Sequence, residues 1–401
     1  MPYRHGPRIS FEAVVIDRSQ RCVRQILPEA YLEYDEFMII DGDGHFFETE
    51  EMFDKYMEPS LRNYRPRLLT DEQGHNFWVV DGQTSYKRPT IKGAGAPGTA
   101  APPGKALQSA RRATPGSQTL TNLKERLEDL DREAIDLQFI YPSFLLHANA
   151  WPDGILANGV CRAYNTWLNE ACSQAPDRLK AVGVVSLMDP QGAAKEITRL
   201  HDMGVMAVMI NGTAGARRLD HPEHDGFFAE CDRVKMPIAV HFSLQFPCVD
   251  TLFEHHFPNR VLAGIFPIMA GLTSVLCSGL LDRYTNLRFA FLEGGISWVP
   301  AHVERMDDHF DNPRYGAKDL LSHPPSDYLK TGRVFFGCEG NEPFLSKIVA
   351  AVGEELFMFS SDYPHADRTE GTATFLKDRT DIAAPVRQKL LADNARNFYG
   401  L

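Results

Sequence analysis

Short apolar runs alternate along this chain with longer segments whose apolar residues recur at helical spacing. The first run, FMIID at 37–41, is separated from the second, IDLQFIY at 135–141, by a long insertion. Six more runs follow: KAVGVVS (180–186), VMAVMI (205–210), PIAVH (237–241), LRFAFLE (287–293), RVFFGCE (333–339) and LFMFSSD (356–362). Unbroken apolar runs of this length are typical of parallel strands that helices cover on their outer face. Eight such strands with intervening helices predict an α/β fold, a (β/α)8 TIM-like barrel.

The segments between the runs predict the helices of such a barrel. The clearest are 120–133, 159–175, 191–203, 224–234, 342–352 and a helix around 384–397, with a longer helical region at roughly 249–282. A doubly wound open sheet is the competing fold. It normally carries a glycine-rich phosphate loop after its first strand, and DGDGHFFETE is not such a loop. The barrel is therefore favoured.

The insertion after the first strand sets the predicted domain organisation. Residues 1–36 form an N-terminal lead-in, and 37–401 form the barrel, with 46–119 as a loop insertion. Within it, 83–118 is rich in Gly, Pro and Ala and predicts an extended loop. Because the insertion leaves from the carboxyl end of a strand, where barrel active sites form, we expect it to act as a cap.

Four of the runs end on side chains that bind metal ions. They place Asp43, His45, His241, Glu293, Asp362 and His365 at or just beyond the carboxyl ends of the predicted strands. In a parallel barrel these ends meet on one face, so residues far apart in sequence would gather around one ion. The pattern predicts a metalloenzyme.

Each of these residues also has a plainer interpretation. Asp43 and His45 are two apart and point to one face, which suits chelation, although an Asx turn with a capping histidine would look the same. Glu293 could be a ligand, could hydrogen-bond a ligand histidine, or could pair with an arginine. His365 could be a ligand, an acid or base, or a turn residue. His147, after the second strand, is a candidate for substrate binding, and Glu48 is expected at the surface.

Composition narrows the class of protein. The net charge of −11 over 401 residues offers no basic stripe for nucleic acid or for an anionic membrane. No apolar stretch is expected to reach the eighteen or so residues of a membrane-spanning helix. Seven scattered cysteines without a CxxC motif indicate reduced thiols in a cytoplasmic protein.

Five sequence elements carry a resemblance to a known family. They are Asp41-x-Asp43-x-His45, AYNTWLNEACSQAPDRLKAVGVVSLMDP, PIAVH, LLDRYTNLRFAFLEGGISWVP and FSSDYPHAD. In this order they resemble the amidohydrolase superfamily, in the group that contains aminocarboxymuconate-semialdehyde decarboxylase and γ-resorcylate decarboxylase. The resemblance implies one divalent ion held by Asp43, His45, His241 and Asp362, with Zn expected first and Mn or Fe as alternatives.

The resemblance leaves the chemistry open. The decarboxylases have a catalytic histidine where this chain has Glu293, and no lysine ends the fourth strand, VMAVMIN. We expect hydrolysis or decarboxylation of a small aromatic or cyclic acid, with Asp362, Glu293 and His365 as catalytic candidates. A dinuclear Fe or Mn oxygenase, with Glu293 and His365 holding a second ion, is one alternative. A non-catalytic subunit is another, and a homodimer or a hetero-oligomer with a paralogue is expected.

Overall fold

The computed structural model describes residues 38–70, 76–84, 113–243, 255–365 and 368–401, together with 14–16, 22–24, 72, 249, 252 and 253. The chain divides into two compact units, Met1–Phe37 and Met38–Leu401. In the first unit, β1 (Val14–Ile16) pairs with β2 (Cys22–Arg24) as an antiparallel ribbon. The rest of the predicted lead-in lies outside the described residues, and so does the stretch 85–112 of the insertion.

The strands of the second unit are short and mostly buried. They are β3 (Ile40–His45), β4 (Arg67–Thr70), β5 (Asn76–Val80), β6 (Gln83–Thr84), β7 (Leu137–Tyr141), β8 (Leu179–Ala181), β9 (Gly183–Val184), β10 (Val208–Asn211), β11 (Thr213–Ala214), β12 (Arg217–Arg218), β13 (Ile238–His241), β14 (Phe289–Leu292), β15 (Val334–Cys338) and β16 (Phe357–Phe359).

The helices lie between these strands. They are α1 (Glu50–Tyr56), α2 (Pro115–Gln118), α3 (Leu123–Arg132), α4 (Gly154–Cys172), α5 (Pro190–Asp202), α6 (Asp225–Val234), α7 (His256–Ala263), α8 (Ile265–Cys277), α9 (Leu280–Arg283), α10 (Val299–Asp311), α11 (Pro325–Leu329), α12 (Leu345–Val352), α13 (Thr372–Lys377), α14 (Ala384–Gln388) and α15 (Asn394–Tyr399). Short 3-10 turns occupy Arg62–Tyr64, Phe144–Ala150, Pro222–His224, Pro313–Tyr315 and Ala317–Asp319, and a π-helical turn occupies Lys389–Asp393.

Two parallel sheets form the centre of this unit. One has the strand order β16-β15-β14-β13-β10-β9 and the other β3-β7-β8. Backbone hydrogen bonds also join the two ends of this series, because Asp362 N donates to Asp43 O at 3.0 Å and His45 N donates to Tyr363 O at 2.6 Å. All residues of β7, β10, β13, β14, β15 and β16 are buried, as expected for strands covered on both faces.

The third predicted strand, 180–186, forms two shorter strands. Val182, between β8 and β9, donates its N–H to Ile140 O at 3.1 Å, and Gly183 N then donates to Ala207 O at 2.9 Å. The segment therefore changes its hydrogen-bonding partner from β7 to β10 at this point. The predicted helical region 249–282 is likewise divided, into α7, α8 and α9.

Side-chain caps explain where several helices begin. Asn122 accepts a hydrogen bond from the N–H of Glu125 at the start of α3, and Asp153 and Asp189 cap α4 and α5 in the same way. Such caps satisfy backbone N–H groups that have no partner inside the helix. As a result α4 begins at 154, earlier than the predicted 159.

The insertion after β3 contains regular structure in its described parts. It includes α1, the antiparallel meander β4-β5-β6 and, at its return, α2. Trp78 of β5 stacks on Phe144 with ring centroids 4.6 Å apart and meets Phe53 of α1 edge-on at 5.7 Å. Phe144 begins the 3-10 turn that follows β7, so the insertion packs against the segment that carries His147.

One helical stretch contradicts the expectation about membrane-spanning length. Residues Phe257–Cys277, across α7 and α8, are 21 residues with a mean hydropathy of 1.7, long and apolar enough to cross a membrane. Half of the most apolar window is buried inside the protein, as in a core helix, so the stretch is weak evidence for a membrane span. Cys161, Cys172, Cys231 and Cys338 are buried free thiols.

Candidate metal centre

Four parallel strands deliver the predicted site residues to one place. His45 ends β3 and His241 ends β13. Glu293 follows β14 directly, and Asp362 lies three residues after the end of β16. The ligand atoms of Asp43, His45 and His241 all lie within 4.8 Å of one another. Those of His45, Glu293, Asp362 and His365 form a second such group, and His45 belongs to both. The six side chains predicted from the strand ends are therefore brought together.

Carboxylate and imidazole atoms alternate within this cluster. Asp43 Oδ1 lies 3.1 Å from His241 Nε2 and 3.3 Å from His45 Nε2. On its other side, His45 Nε2 lies 3.4 Å from Asp362 Oδ1. His45 also stacks on the ring of His365 at 4.1 Å. The cluster is thus continuous from the end of β3 to the segment after β16.

The tautomer of His45 is fixed by a backbone carbonyl. Its Nδ1–H donates to Pro142 O at 2.7 Å, which leaves the lone pair of Nε2 directed at the carboxylates of Asp43 and Asp362. Burial and the charge of His365 lower the pKa of His45, against the opposing effect of those carboxylates. A neutral imidazole nitrogen that faces two carboxylate oxygens is an arrangement that suits a cation between them. This orientation of a ligand histidine by a backbone carbonyl is common at metal sites.

Three buried atoms of the cluster have no hydrogen-bond partner in the described part of the chain. They are His45 Nε2, Asp43 Oδ2 and Glu293 Oε2. A buried polar atom without a partner costs about 1–3 kcal/mol, and more if it is charged. All three are good ligands for a divalent ion of borderline or hard character. The residues present therefore fit a metal ion.

Charges inside the cluster shift its pKa values in different directions. Burial raises the pKa of Asp43, but the charges and hydrogen bonds of His241 and His45 outweigh it, so the pKa lies below its ordinary value. Burial lowers the pKa of His241, and the charge and hydrogen bond of Asp43 more than compensate. Burial and the charge of Asp362 raise the pKa of Glu293 well above its ordinary value. The pKa values of these two carboxyl groups in one cluster are therefore shifted in opposite directions.

The two acidic residues that follow β14 and β16 have unusual backbone conformations. Glu293 has φ 58° and Asp362 has φ 54°, in the left-handed region that residues other than glycine rarely adopt. Strained conformations of this kind persist when the surrounding structure holds them, and they cluster at functional sites. Here they turn both carboxyl groups inward toward the histidines.

Asp41, the first residue of the D-x-D-x-H element, lies beneath the cluster and does not join it. It accepts hydrogen bonds from Asp43 N at 3.2 Å, Gln138 Nε2 at 2.6 Å and Ser361 N at 2.8 Å. It thus ties β3 to β7 and to the segment after β16. The fully buried Arg126 of α3 adds to this support, since it donates to His45 O and Gln138 Oε1, both at 2.6 Å.

Tyr363 anchors the segment that carries Asp362. Its ring lies between two guanidinium groups, with Arg126 at 4.5 Å and Arg368 at 4.7 Å from the ring centre. Its hydroxyl donates to Asp129 of α3 and lies 3.0 Å from Ser117 Oγ of α2. The return of the insertion and the segment next to Asp362 therefore share one anchor.

A known protein family matches most of this chain. The family model of the amidohydrolases matches residues 122–401, more than two thirds of the chain. The chain belongs to the amidohydrolase family. The predicted resemblance is confirmed, and so is the expectation of a metal-dependent enzyme of this superfamily.

Relatives of this amidohydrolase include named decarboxylases. It is 27% identical over 272 residues to the γ-resorcylate decarboxylase of Rhodococcus jostii (strain RHA1), a match that covers 63% of this chain and 80% of the relative. An amidohydrolase structure from Mycobacterium avium subsp. paratuberculosis K-10 superposes with a TM-score of 0.73 at 19% identity, covering 91% of this chain and 99% of that one.

A third similar protein was solved with a metal. The 5-carboxyvanillate decarboxylase of Novosphingobium aromaticivorans DSM 12444, with bound manganese and 3-methoxy-4-hydroxy-5-nitrobenzoic acid, gives a TM-score of 0.67 at 19% identity. The match covers 92% of this chain and 98% of that one. These structural neighbours establish that the amidohydrolase has a TIM-barrel fold with parallel sheets.

Beside the cluster, the amidohydrolase has a polar wall that the sequence revealed only in part. His147, the predicted substrate-binding residue, is buried and its Nδ1 lies 3.1 Å from Ser243 Oγ. Burial and the positive charges of Arg260 and His241 lower the pKa of His147 to about 4. Arg260 of α7 was not singled out from the sequence, although its Nη2 lies 3.6 Å from Glu293 Oε1. The arginine partner considered for Glu293 is this residue.

The expectation that Glu48 is exposed is wrong. The side chain is buried, and its carboxyl accepts hydrogen bonds from the N–H groups of Ser143 at 3.2 Å, Phe144 at 2.9 Å and Leu145 at 3.0 Å. It therefore caps the 3-10 turn that carries His147. A carboxylate suits this position because the unpaired N–H groups at the start of a helical turn attract negative charge. In the sequence, only its position three residues after His45 indicated that Glu48 could lie near the site.

Proposed function

We propose that this amidohydrolase is a metal-dependent decarboxylase of small aromatic acids that carry a hydroxyl group next to the carboxylate. The observation that carries the proposal is the convergence of Asp43, His45, His241 and Asp362 at the carboxyl ends of parallel strands. Its named relatives and structural neighbours act on γ-resorcylate and 5-carboxyvanillate, both of which belong to this class of acid.

We further propose that the strands of the two parallel sheets, with β8 and β9 together as one of eight, form a closed (β/α)8 barrel and that 46–119 acts as a cap. The hydrogen bonds from Asp362 N to Asp43 O and from His45 N to Tyr363 O support closure, because they connect the first strand to the end of the last. The stacking of Trp78 on Phe144 supports the cap, because it holds the insertion against the loop next to the site.

One divalent ion is held by Asp43, His45, His241 and Asp362 in this proposal. Two carboxylates and two imidazoles suit Zn, Mn or Fe. Zn is the metal expected from the sequence, and a structural neighbour was solved with bound manganese, so both metals belong in the test. When bound, such an ion would supply positive charge that stabilises the negative charge of the substrate.

The residues around the ion divide the handling of protons between them. Asp362 Oδ1 lies 2.6 Å from His365 Nδ1, a pair that accepts and returns a proton at the edge of the site. Loss of CO₂ leaves a ring carbon that must take up a proton. Burial and the charge of Asp362 raise the pKa of Glu293, so among the carboxyl groups of the cluster it is the one suited to donate a proton. For hydrolysis, the same Asp362 would instead accept a proton from water.

The test is release of CO₂ by purified protein whose metal content has been measured. We expect chelated protein to be inactive, and activity on hydroxybenzoates to return with Mn²⁺ or Zn²⁺. A parallel panel of amides and lactones separates hydrolysis from decarboxylation. Full activity in protein without metal, or turnover of amides and lactones alone, would refute the proposal.

A dinuclear oxygenase is the second candidate. It is favoured by the second group of ligand atoms, from Glu293, Asp362 and His365 together with His45. About two Fe or Mn ions per chain, with consumption of O₂, would support this candidate, and one ion per chain would oppose it.

We also propose a cytoplasmic location, a small-molecule substrate and an oligomeric state for this protein. The buried free thiols Cys161, Cys172, Cys231 and Cys338 favour the reducing cytoplasm. A small-molecule substrate fits a buried cluster better than a macromolecule does. The expected homodimer, or hetero-oligomer with a paralogue, is tested by the mass of the purified protein in solution.

A further inference from the structure

A guanidinium group stands at one side of the metal centre. Arg260, on α7, has its Nη2 3.6 Å from Glu293 Oε1, and its guanidinium carbon lies 4.7 Å from the centre of the Phe242 ring. Among the described residues, it is the one arginine or lysine that forms an ion pair with a member of the cluster. The side chain is 37% exposed, so the group lies at the boundary between the site and solvent.

Glu293 places this arginine beside the metal ligands. One of its oxygens faces Arg260, and the other, Oε2, lies 3.7 Å from His241 Nε2. Arg260 is therefore separated from a ligand histidine by a single carboxyl group. A small substrate bound at the metal centre would therefore be long enough to reach the positive charge of Arg260.

Two further polar side chains lie on the same side of the site. Ser243 follows His241 by two residues, and His147 reaches Ser243 Oγ from the 3-10 turn after β7 at 3.1 Å. Both are buried. His147 is close enough to Arg260 and His241 to feel their charges. A cation, an imidazole and a hydroxyl thus line one wall.

The contact between Arg260 and Glu293 is too long to be a hydrogen bond. At 3.6 Å it exceeds the usual N–H···O range, and it joins a charged guanidinium to a carboxyl group whose pKa is raised. A guanidinium has five N–H donors in one plane, and can keep a carboxylate neighbour while it binds another acceptor. Stacking on Phe242 orients that plane, and a planar fork of this kind matches a second planar carboxylate.

We propose that Arg260, with His147 and Ser243, forms an anion subsite that binds a second carboxylate of the substrate. The inference rests on the proposed function, and it narrows the substrates to aromatic dicarboxylic acids. The carboxylate that is lost would lie at the residues of the metal centre, and Arg260 would hold the one that stays. A dicarboxylic acid should then bind more tightly than a monocarboxylic acid, because only the dicarboxylic acid forms a charge-assisted pair with Arg260.

Binding of simple probes to the manganese-loaded, full-length protein tests this subsite without turnover. The probes are benzoate and the three benzene dicarboxylates, measured by calorimetry. We expect at least one dicarboxylate to bind about tenfold more tightly than benzoate, the effect of one added charge-assisted pair. Arg260→Gln should remove this preference and leave benzoate binding within about twofold of wild type. Arg260→Lys should retain part of it, because a lysine keeps the charge without the planar fork.

Arg162→Gln is the matched control. Arg162 of α4 also pairs with a glutamate, Glu58, at 2.6 Å, but it does so at the surface. Manganese content and circular dichroism verify that each variant is folded. If Arg260→Gln does not fold, the comparison of wild type with Arg260→Lys decides the question.

The remaining outcomes overturn the subsite. They are equal binding of benzoate and every dicarboxylate by wild type, no binding of any probe, and an Arg260→Gln variant that weakens all probes equally. The last result would mean that Arg260 serves only to hold Glu293. A dicarboxylate preference that depends on Arg260, found in a protein that releases no CO₂ from any acid, would refute the proposed decarboxylase and leave the subsite standing.

Discussion

Asp362 and His365 form a close pair three residues apart, with Oδ1 and Nδ1 separated by 2.6 Å. The same Asp362 oxygen faces His45 Nε2 at 3.4 Å. A single carboxylate therefore touches both the imidazole expected to bind metal and the imidazole expected to exchange protons. Its left-handed backbone, with φ 54°, makes this double contact possible directly after a parallel strand.

Replacing Asp362 should abolish turnover. Asp362→Asn keeps the shape of the side chain but removes its charge and its ability to accept a proton, and we expect kcat to fall about 10²–10⁴-fold. Measured kcat and manganese content show whether the loss comes from proton transfer, from metal binding or from both. Asp327→Asn, at an exposed carboxylate paired with Lys330, is the control and should remain active. An active Asp362→Asn enzyme would remove this residue from the chemistry.

Metal should stabilise the folded protein. Because the ligand atoms come from β3, β13 and the segment after β16, an ion binds the folded state and not the unfolded chain. At a metal concentration of one hundred times Kd, the free energy of unfolding should rise by about 2.7 kcal/mol. Thermal unfolding with and without added Mn²⁺ measures the increment. Asp43→Asn should lose most of it, and an increment that survives in this variant would place the metal elsewhere.

Loss of Arg126 should destabilise the fold far more than loss of a surface arginine. Arg126→Met leaves His45 O and Gln138 Oε1 without their donor, and breaking a buried charged network in this way costs about 3–5 kcal/mol. Arg162→Met, which breaks an exposed pair with Glu58, should cost no more than about 1 kcal/mol. Urea unfolding of the two variants gives the comparison. Equal losses would contradict the role assigned to Arg126.

His147 should make the protein less stable in mild acid. Its pKa is about 4 in the folded state, against 6.5 as the ordinary value, because burial and nearby positive charge disfavour the proton. Between these values the unfolded chain binds more protons than the folded one, so stability falls as pH drops from 6.5 toward 4. Between pH 7 and pH 5 this amounts to about 2 kcal/mol.

Urea unfolding of metal-free protein at the two pH values measures this slope. We expect His147→Gln to flatten it by that amount. His201→Gln, at a side chain that is 54% exposed, is the control and should leave the wild-type slope in place. An unchanged slope in His147→Gln would show that His147 titrates alike in both states.

Trp78 should hold the insertion against the barrel. Trp78→Ala removes the contacts with Phe53 and Phe144, and truncation of a buried aromatic side chain costs about 3–5 kcal/mol. Tyr64→Ala, at a ring that is 47% exposed, should have a small effect. Thermal unfolding and KM report on fold and site separately. If stability and KM both stay at wild-type values, the insertion does not depend on this contact.

The sequence predicted the strand-end residues because two simple signals coincide there. An apolar run places a strand in the core, and a following Asp, Glu or His is too polar to lie there without a partner. His241 and Asp362 were found in this way. Arg126 was not, because its charged neighbours in α3 make it look like part of a solvated face, and only the tertiary structure buries it.

Residues on loops and on the outer helices left weaker traces. Glu48 has no apolar run beside it, and its burial depends on a 3-10 turn nearly one hundred residues away, with which it makes its hydrogen bonds. Arg260 lies in a helix whose pattern shows only that it is apolar on one side. Its contact with Glu293, the residue after β14, joins distant parts of the chain, which no local pattern encodes.

The shared anchor at Tyr363 restricts how this enzyme could be given a new specificity. Exchanging the insertion for one from a relative would be an obvious route, since it packs against the 3-10 turn that carries His147. However, the transplanted segment would have to keep Ser117, whose Oγ lies 3.0 Å from the Tyr363 hydroxyl. Without Ser117, the orientation of the neighbouring Asp362 would be disturbed. The safe joint for such a graft therefore lies before Thr114, so that α2 stays with the catalytic body and not with the exchanged part.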